Sequence, residues 1–264
     1  MFVQRDLTDS VPTPEGKMHF VKKGNGYPVV LLHPLGHSVW TWNNIIDSVS
    51  QNYTCYAFDM LGHGESENPR RHFNLPDHAN ALDQACQILN IHRAHFVGNS
   101  VGAVLATETA ASFPDRVDKL VLVGCPAWSP FTAHERLNAI TGNYDENDIP
   151  IPQTLQGLKD ATTFAEPTQE WLEAGNRSRA QAGVWAKNLM ESLAYYDILS
   201  RLPLIKASAT MVMYGEIDRL RDAEELLHNN IANASKMVLP GIGHIPQVED
   251  PEAFLGALLP FLDA

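Results

Sequence analysis

Short apolar runs separated by helix-length segments are the feature that most constrains how this 264-residue chain can fold. Such runs are rich in the β-branched and aromatic residues that strands favour. They occupy residues 28–33, 53–59, 94–99, 119–124, 209–215 and 236–240. Strands at this spacing are joined by crossover helices, and continuous apolar runs indicate strands that are covered on both faces. The pattern therefore predicts an α/β fold built around a parallel sheet.

The segment at residues 128–202 lacks this rhythm. Polar, helix-like stretches replace the strand runs, and the Pro-rich sequence DIPIPQ interrupts them. After it, the alternation of strand and helix patterns resumes. We therefore predict a core domain at residues 1–127 and 203–264, interrupted by a helical cap at 128–202.

Local patterns add detail to three elements. MHFVKKGNGYP, which begins at Met18, predicts a strand and a Gly-containing turn of an antiparallel edge hairpin. The stretch from Asn74 predicts a helix with that residue as the N-cap and Pro76 in the first turn. In the cap, four large side chains recur on one helical face, which could pack on substrate or on core. These four are Trp185, Leu189, Leu193 and Tyr196.

Net charge and composition argue against several classes of protein and of partner. The chain has 31 acidic residues against 19 lysines and arginines, a formal net charge of −12, which disfavours nucleic acid and anionic membranes as partners. No apolar run approaches the roughly 18 residues that span a bilayer, and the N-terminus lacks a signal-peptide pattern, so we expect a soluble, cytoplasmic protein. Three widely spaced cysteines, Cys55, Cys86 and Cys125, predict buried thiols without a disulfide framework or zinc site. The oligomeric state is not encoded in any of these patterns.

Ser100 lies between two glycines in GNSVG, at the junction of a predicted strand and a predicted helix. The G-x-S-x-G pattern alone is common, so its context decides what it means. In a parallel sheet the loops after the strands share one edge, where functional residues gather. Four loops meet that condition, and they contain HPLGH, NSVG, EID and GIGH.

These loops resemble those of the α/β-hydrolase family. GNSVG is similar to the family's nucleophile elbow, YGEID to the turn that carries its acid, and GIGHIPQVEDPEAF to its histidine loop, while DMLGHGES matches a structural turn. The likeness covers nearly all of the chain outside the insertion. It implies a mostly parallel eight-stranded sheet flanked by helices, an inserted helical cap, no cofactor, and Ser100, Asp218 and His244 as the catalytic residues.

The chemistry requires each of these residue types. A serine hydroxyl needs a base to become nucleophilic at neutral pH, and histidine is the side chain suited to that task. A carboxylate must orient the imidazole and stabilise it once it is protonated. The resemblance assigns that role to Asp218, with Glu216 as the competing assignment.

The resemblance also implies an oxyanion hole made by two main-chain N–H groups, those of Val101 and Leu35. Many relatives have glycine where this chain has Pro34, which has no N–H of its own but leaves that of Leu35 free. Relatives often carry an aromatic residue or histidine at the position of Asn99, whose effect on the pocket is left open.

We further expect Trp128, His37 and Ile245 to contact substrate. For His37 a structural hydrogen bond is the competing interpretation, and for Trp128 it is a position in the core. His33 and His37 have the i, i+4 spacing of helical zinc ligands, but Pro34 and Gly36 between them indicate a loop and no metal site. GHGES lacks the Gly-Lys-Ser/Thr ending of a phosphate-binding loop, so His63 belongs to a structural turn.

The predicted function is that of a serine hydrolase that cleaves a small, largely apolar carboxylic ester or lactone through an acyl-enzyme. A small molecule is thus the expected partner. The same residues serve C–C bond hydrolases and cofactor-free perhydrolases, which remain alternatives. A slow-turnover ligand receptor, or less readily a peptidase, would also use this fold.

Overall fold

A mostly parallel sheet of eight strands crosses this computed structural model, which describes residues 7–128 and 132–264. In chain order the strands are β1 (Leu7–Thr13), β2 (Gly16–Lys23), β3 (Tyr27–Leu32), β4 (Tyr53–Phe58), β5 (Ala94–Asn99), β6 (Val117–Val123), β7 (Ala209–Gly215) and β8 (Ala234–Leu239). Their order across the sheet is β1-β2-β4-β3-β5-β6-β7-β8. β2 pairs antiparallel with β1 and with β4, and the other neighbouring pairs are parallel. The predicted α/β fold is therefore confirmed.

The edge hairpin differs from its prediction. β2 forms where a strand was expected, but its hairpin partner is β1, reached through the turn at Pro14 and Glu15. After β2 the glycine-containing turn leads into β3, which lies beyond β4 in the sheet. β1 was missed because LTDSVPT is mostly exposed and polar, so it lacks the apolar run that marks the other strands.

The helices cover both faces of the sheet. They are α1 (Asn43–Val49), α2 (Leu75–Ile88), α3 (Val101–Ser112), α4 (Ala133–Ile140), α5 (Leu155–Asp160), α6 (Gln169–Ala182), α7 (Val184–Tyr195), α8 (Glu224–Asn230), α9 (Pro246–Glu249) and α10 (Pro251–Asp263). Alternate residues of β3 belong to different cores, because side chains alternate across a strand. Val30 and Leu32 pack in the cluster that contains α2 and α3, whereas Val29 and Leu31 pack in the cluster of α1 and α10.

Helix α2 begins as its sequence predicts. The Asn74 side chain accepts the N–H of Asp77 at 2.9 Å, and the Asp77 carboxylate accepts the N–H of Asn74 at 3.0 Å. This reciprocal capping box satisfies two N–H groups that a helix start leaves unpaired. Pro76 lies in the first turn, where its missing N–H costs nothing.

In the described part of the segment between β6 and β7, for which a cap was predicted, the α-helices are α4 to α7. The large side chains predicted on one face of the last helix, α7, have different surroundings. Leu189 is fully buried in the core, Leu193 lines a cavity above the sheet, and Trp185 lies against Gly62. Across the described ranges, no helix is long and apolar enough to cross a membrane.

Candidate active site

Ser100 occupies the sharp turn between β5 and α3. Its backbone has φ 58° and ψ −119°, which is strained for a residue with a side chain. Both flanking glycines are needed because a side chain there would clash with the main chain. A Cβ on Gly98 would lie 2.2 Å from the carbonyl oxygen of Gly102, and a Cβ on Gly102 would lie 2.2 Å from the carbonyl oxygen of Leu32. The turn therefore presents Ser100 at the sheet edge, where it lines a cavity.

Asp218, which is buried, and His244, which is partly exposed, form a hydrogen-bonded pair beside that turn. Nδ1 of His244 lies 2.8 Å from Oδ2 of Asp218, and the other carboxylate oxygen accepts the N–H of Leu220 at 2.9 Å. Because the carboxylate accepts, the imidazole donates from Nδ1 and keeps Nε2 as an acceptor. Glu216 instead accepts the N–H of Gly241 at 2.8 Å. The geometry thus pairs the imidazole with Asp218.

Gly124, at the end of β6, makes room for this pair. It has φ +54°, and a Cβ there would lie 2.7 Å from Nδ1 of His244 and 2.9 Å from Oδ2 of Asp218. Both backbone conformation and space therefore require glycine at this position. No local feature of the sequence distinguishes Gly124 from other glycines that follow a strand.

Hydrogen bonds hold the main chain of His244 from two sides. Its N–H lies 2.9 Å from the carbonyl oxygen of Thr163 and 3.1 Å from that of Thr162, both in the cap segment. Its carbonyl accepts the side-chain amide of Asn99 at 3.0 Å, and Asn99 is in turn held by Gln247 at 3.0 Å. Asn99, whose effect on the pocket the sequence left open, thus holds the main chain of His244.

Glu249 adds a second link between the cap segment and the histidine loop. Its two carboxylate oxygens accept the N–H groups of Ala165, at 2.5 Å, and Gly243, at 2.7 Å. Burial raises the pKa of Glu249 above its usual range. No sequence motif indicated this role, since the contact depends on how the insertion folds back over the sheet.

A cavity of about 550 Å³ lies above the sheet edge. Its lining includes Ser100, Asp218, His244, Leu35 and Trp128, together with apolar cap residues. The structure therefore brings these predicted residues to one space. Among the contacts between described residues, no hydrogen bond joins the Ser100 hydroxyl to the imidazole of His244. In ligand-free enzymes, the hydrogen bond between a nucleophile and its base is commonly long and shortens when substrate binds.

The loop that carries Leu35 is held by two neutral histidines. His33 donates from Nδ1 to the Pro34 carbonyl at 2.8 Å and accepts the N–H of Met60 at 3.0 Å, and burial lowers its pKa. His37 donates from Nδ1 to the Leu35 carbonyl at 2.9 Å, and burial lowers its pKa to about 3. Among the described residues, none accepts a hydrogen bond from the main-chain N–H of Leu35 or of Val101.

The other expected substrate contacts have different surroundings. Trp128 lines the cavity and donates from Nε1 to the Leu193 carbonyl at 3.4 Å. His37 stacks on Trp40, with ring centroids 5.7 Å apart, and is not among the described residues of the lining. Ile245 is 1% exposed and packs in a small apolar cluster under the cap segment, also off the lining.

Three arginines also line the cavity, namely Arg136, Arg179 and Arg219. Asp218 is the one acidic side chain among the described lining residues, and its carboxylate is engaged by His244. These arginines were not predicted from the sequence. Two of them belong to polar helices of the insertion, and a polar sequence does not show which face of a helix points inward. Arg219 follows Asp218 directly, so its proximity to the acid loop was the available signal.

Comparison with known proteins assigns the family. The model of the alpha/beta hydrolase fold family matches residues 27–251. A 2-hydroxy-6-oxononadienedioate/2-hydroxy-6-oxononatrienedioate hydrolase from Paraburkholderia phymatum is 30% identical over 94% of this chain and 91% of its own. A pimeloyl-acyl-carrier-protein methyl ester esterase from Pectobacterium carotovorum is 27% identical over 89% and 94%. The structure of a thermophilic esterase from Thermogutta terrifontis superposes with a TM-score of 0.81 at 21% identity, covering 98% of each chain. The chain belongs to the α/β hydrolase fold family.

Proposed function

We propose that this hydrolase is a serine hydrolase that cleaves a small carboxylic ester or lactone through an acyl-enzyme. The observation that carries the proposal is the Asp218–His244 pair, 2.8 Å apart, at the cavity that Ser100 also lines. Strained backbone at Ser100 supports a functional role, since such strain concentrates at active sites.

In the proposed acylation step, Oγ of Ser100 bonds to the substrate's carbonyl carbon while Nε2 of His244 takes the hydroxyl proton. Asp218 stabilises the resulting imidazolium and keeps Nε2 facing the reaction. The tetrahedral intermediate then collapses, the bond to the leaving alcohol breaks, and the imidazolium returns its proton to that oxygen. Ser100 is left as an ester of the substrate's acid.

Water completes the cycle by the reverse order of proton transfers. His244 removes a proton from water as its oxygen bonds to the acyl carbon, and then protonates Oγ of Ser100 as the acid leaves. Each turnover consumes one water and restores the enzyme.

The negative charge on the carbonyl oxygen would be held by the N–H groups of Leu35 and Val101. Val101 is the first residue of α3, so the helix start adds a favourable dipole. A preset donor of this kind accelerates acyl transfer by about 10²–10³. The bonds from His33 and His37 to the loop around Leu35 support this role, because rigid donors need no reorganisation during the reaction.

Steady-state hydrolysis of p-nitrophenyl butyrate tests the proposal. We expect continuous p-nitrophenol release that S100A abolishes and S10A, at an exposed serine of β1, leaves unchanged. Release that stops after one equivalent per protein would favour a slow-turnover receptor. Undiminished release by S100A would refute Ser100 as the nucleophile.

Hydrolysis of a C–C bond is the second candidate, favoured by the relative from Paraburkholderia phymatum that acts on an oxononadienedioate. A panel containing a vinylogous diketone beside simple esters and lactones separates the two. Higher kcat/KM on the diketone, lost in S100A, would select the second candidate.

A further inference from the structure

Arg179 of α6 lies on the wall of the cavity that Ser100 also lines. Among the described residues its side chain forms no hydrogen bond or ion pair, and its Nε is buried without a partner. Burial lowers the pKa of Arg179, which means that the folded protein disfavours the charged form of its guanidinium. Buried polar groups are normally paired, and a charged group left unpaired is more costly than a neutral one. An unpaired guanidinium on a cavity wall therefore indicates a partner that arrives with the ligand.

The position of Arg179 links it to the reacting end of the cavity. A Cβ on Gly36 would lie 3.1 Å from Cγ of Arg179, so the side chain packs over the loop that carries Leu35. The same α6 passes beside His37, whose Nε2 lies 3.7 Å from where a Cβ on Gly175 would stand. A group bound at Arg179 would therefore belong to a molecule whose carbonyl can reach Ser100.

A second cavity of about 300 Å³ shares part of its wall with the first. The shared residues are Asn143, Gln153, Ala161, Arg179 and Arg219. Four of these five have polar side chains, in contrast to the apolar wall formed by Leu35, Met190 and Leu193. Arg179 thus lies where an apolar compartment meets a polar one.

The local charge at this junction is opposite to that of the whole protein. Three arginines line the cavity. Among the described lining residues, the acidic side chain is that of Asp218, and its carboxylate is hydrogen-bonded to His244. Arg136 stacks on Trp128 at 4.3 Å and Arg219 is exposed, which leaves Arg179 as the charge best placed to bind an anion. In a chain of net charge −12, so positive a cavity selects anions locally.

We propose that the substrate carries a carboxylate distant from its scissile carbonyl, and that Arg179 binds this carboxylate. The proposal rests on the function proposed above and names its substrate class as half-esters of dicarboxylic acids or lactones with a carboxylate arm. The planar guanidinium offers two parallel N–H donors that match a carboxylate. Tyr144, which interacts electrostatically with Arg179 and lines the same wall, supplies a hydroxyl beside it.

Two esters of equal chain length test the proposal: mono-p-nitrophenyl adipate, which ends in a carboxylate, and p-nitrophenyl hexanoate, which ends in a methyl. We expect the wild-type protein to have a kcat/KM for the adipate about tenfold or more above that for the hexanoate. R179Q should lower this ratio by about ten- to hundredfold, the range for a charged hydrogen bond. R179K, which keeps the charge but loses the fork, should give an intermediate ratio.

R177Q is the matched control, because Arg177 lies on the same helix, is exposed, and undergoes the same charge change. It should leave the ratio unchanged. A wild-type ratio of one or less, or R179Q slowing both esters equally, would overturn the proposal, because Arg179 would then act on a group that both substrates share.

Calorimetric binding of adipate to S100A separates this inference from the proposed function. Absence of turnover on both esters would count against the serine-hydrolase mechanism alone. Adipate binding that weakens tenfold or more in S100A/R179Q, but not in S100A/R177Q, would still support the carboxylate site. No detectable adipate binding to S100A would refute it.

Discussion

The side-chain amide of Asn99 donates to the main-chain carbonyl of His244 at 3.0 Å, across 145 residues of sequence. Asn99 is fully buried and ends β5, immediately before Ser100. One residue therefore ties the nucleophile turn to the histidine loop. The bond from Gln247 to Asn99 extends this tie into α9.

Replacing Asn99 by leucine should lower kcat about ten- to hundredfold with little change in KM. Leucine cannot donate the hydrogen bond that holds the main chain of His244, whereas the residues that line the cavity stay the same. A small misplacement of a reacting group lowers the rate by a factor of this order. Steady-state kinetics on p-nitrophenyl butyrate measure both constants. N52L, at an exposed position after α1, is the control. A rise in KM at constant kcat would contradict a positioning role.

Replacing Asp218 by asparagine should reduce turnover by about 10⁴, because the amide no longer holds the imidazole in the reactive tautomer. Circular dichroism should show an unchanged fold. E216Q removes the nearby carboxylate, which accepts the Gly241 N–H, and should change turnover little. If E216Q produced the large loss instead, the acid would be Glu216.

Gly124→Ala should abolish turnover and lower the free energy of unfolding. Its Cβ would lie 2.7 Å from Nδ1 of His244, and the positive φ adds backbone strain. Gly256→Ala is the opposite control: it lies in α10 with nothing within 4 Å of the added Cβ, and should stabilise by about 0.5–1 kcal/mol. Urea unfolding and steady-state assays measure both effects. Normal activity in G124A would contradict the described geometry.

Stability should fall as pH drops from about 7 towards 4. Burial lowers the pKa of several histidines, to about 3 in His37 and His78 and to about 4 in His95. Unfolding restores the ordinary value near 6.5, so the unfolded chain binds protons that the folded chain excludes, and acid favours unfolding. At pH 5, each such histidine lowers the free energy of unfolding by about 2 kcal/mol.

Urea unfolding of H78Q at pH 7 and pH 5 checks this linkage. The variant lacks one proton-binding site of the unfolded chain, so its loss of stability between the two pH values should be about 2 kcal/mol smaller than that of the wild type. N229Q, at an exposed position of α8, changes no titratable group and should match the wild type. Identical losses in H78Q and wild type would show that His78 is not excluded from protonation in the folded state.

The sheet and the candidate residues at its edge could be predicted from the amino-acid sequence. Continuous apolar runs indicated every parallel strand, because the inner strands β3 to β7 are largely buried on both faces. The edge strand β8 is half-exposed but keeps a short apolar run. The motifs around Ser100, Asp218 and His244 are likewise local, since each is a strand end followed by a tight turn. Polar, exposed β1 carried no such signal.

The surroundings of those residues depend on how distant segments fold against one another. Gly124 is needed because His244 and Asp218 lie against it, and Thr162 and Thr163 support His244 because the insertion folds back over the sheet. The unpaired guanidinium of Arg179 is evident only once its neighbours are known. These relationships join residues far apart in the chain, and contact between distant side chains leaves no periodicity in the sequence to reveal it.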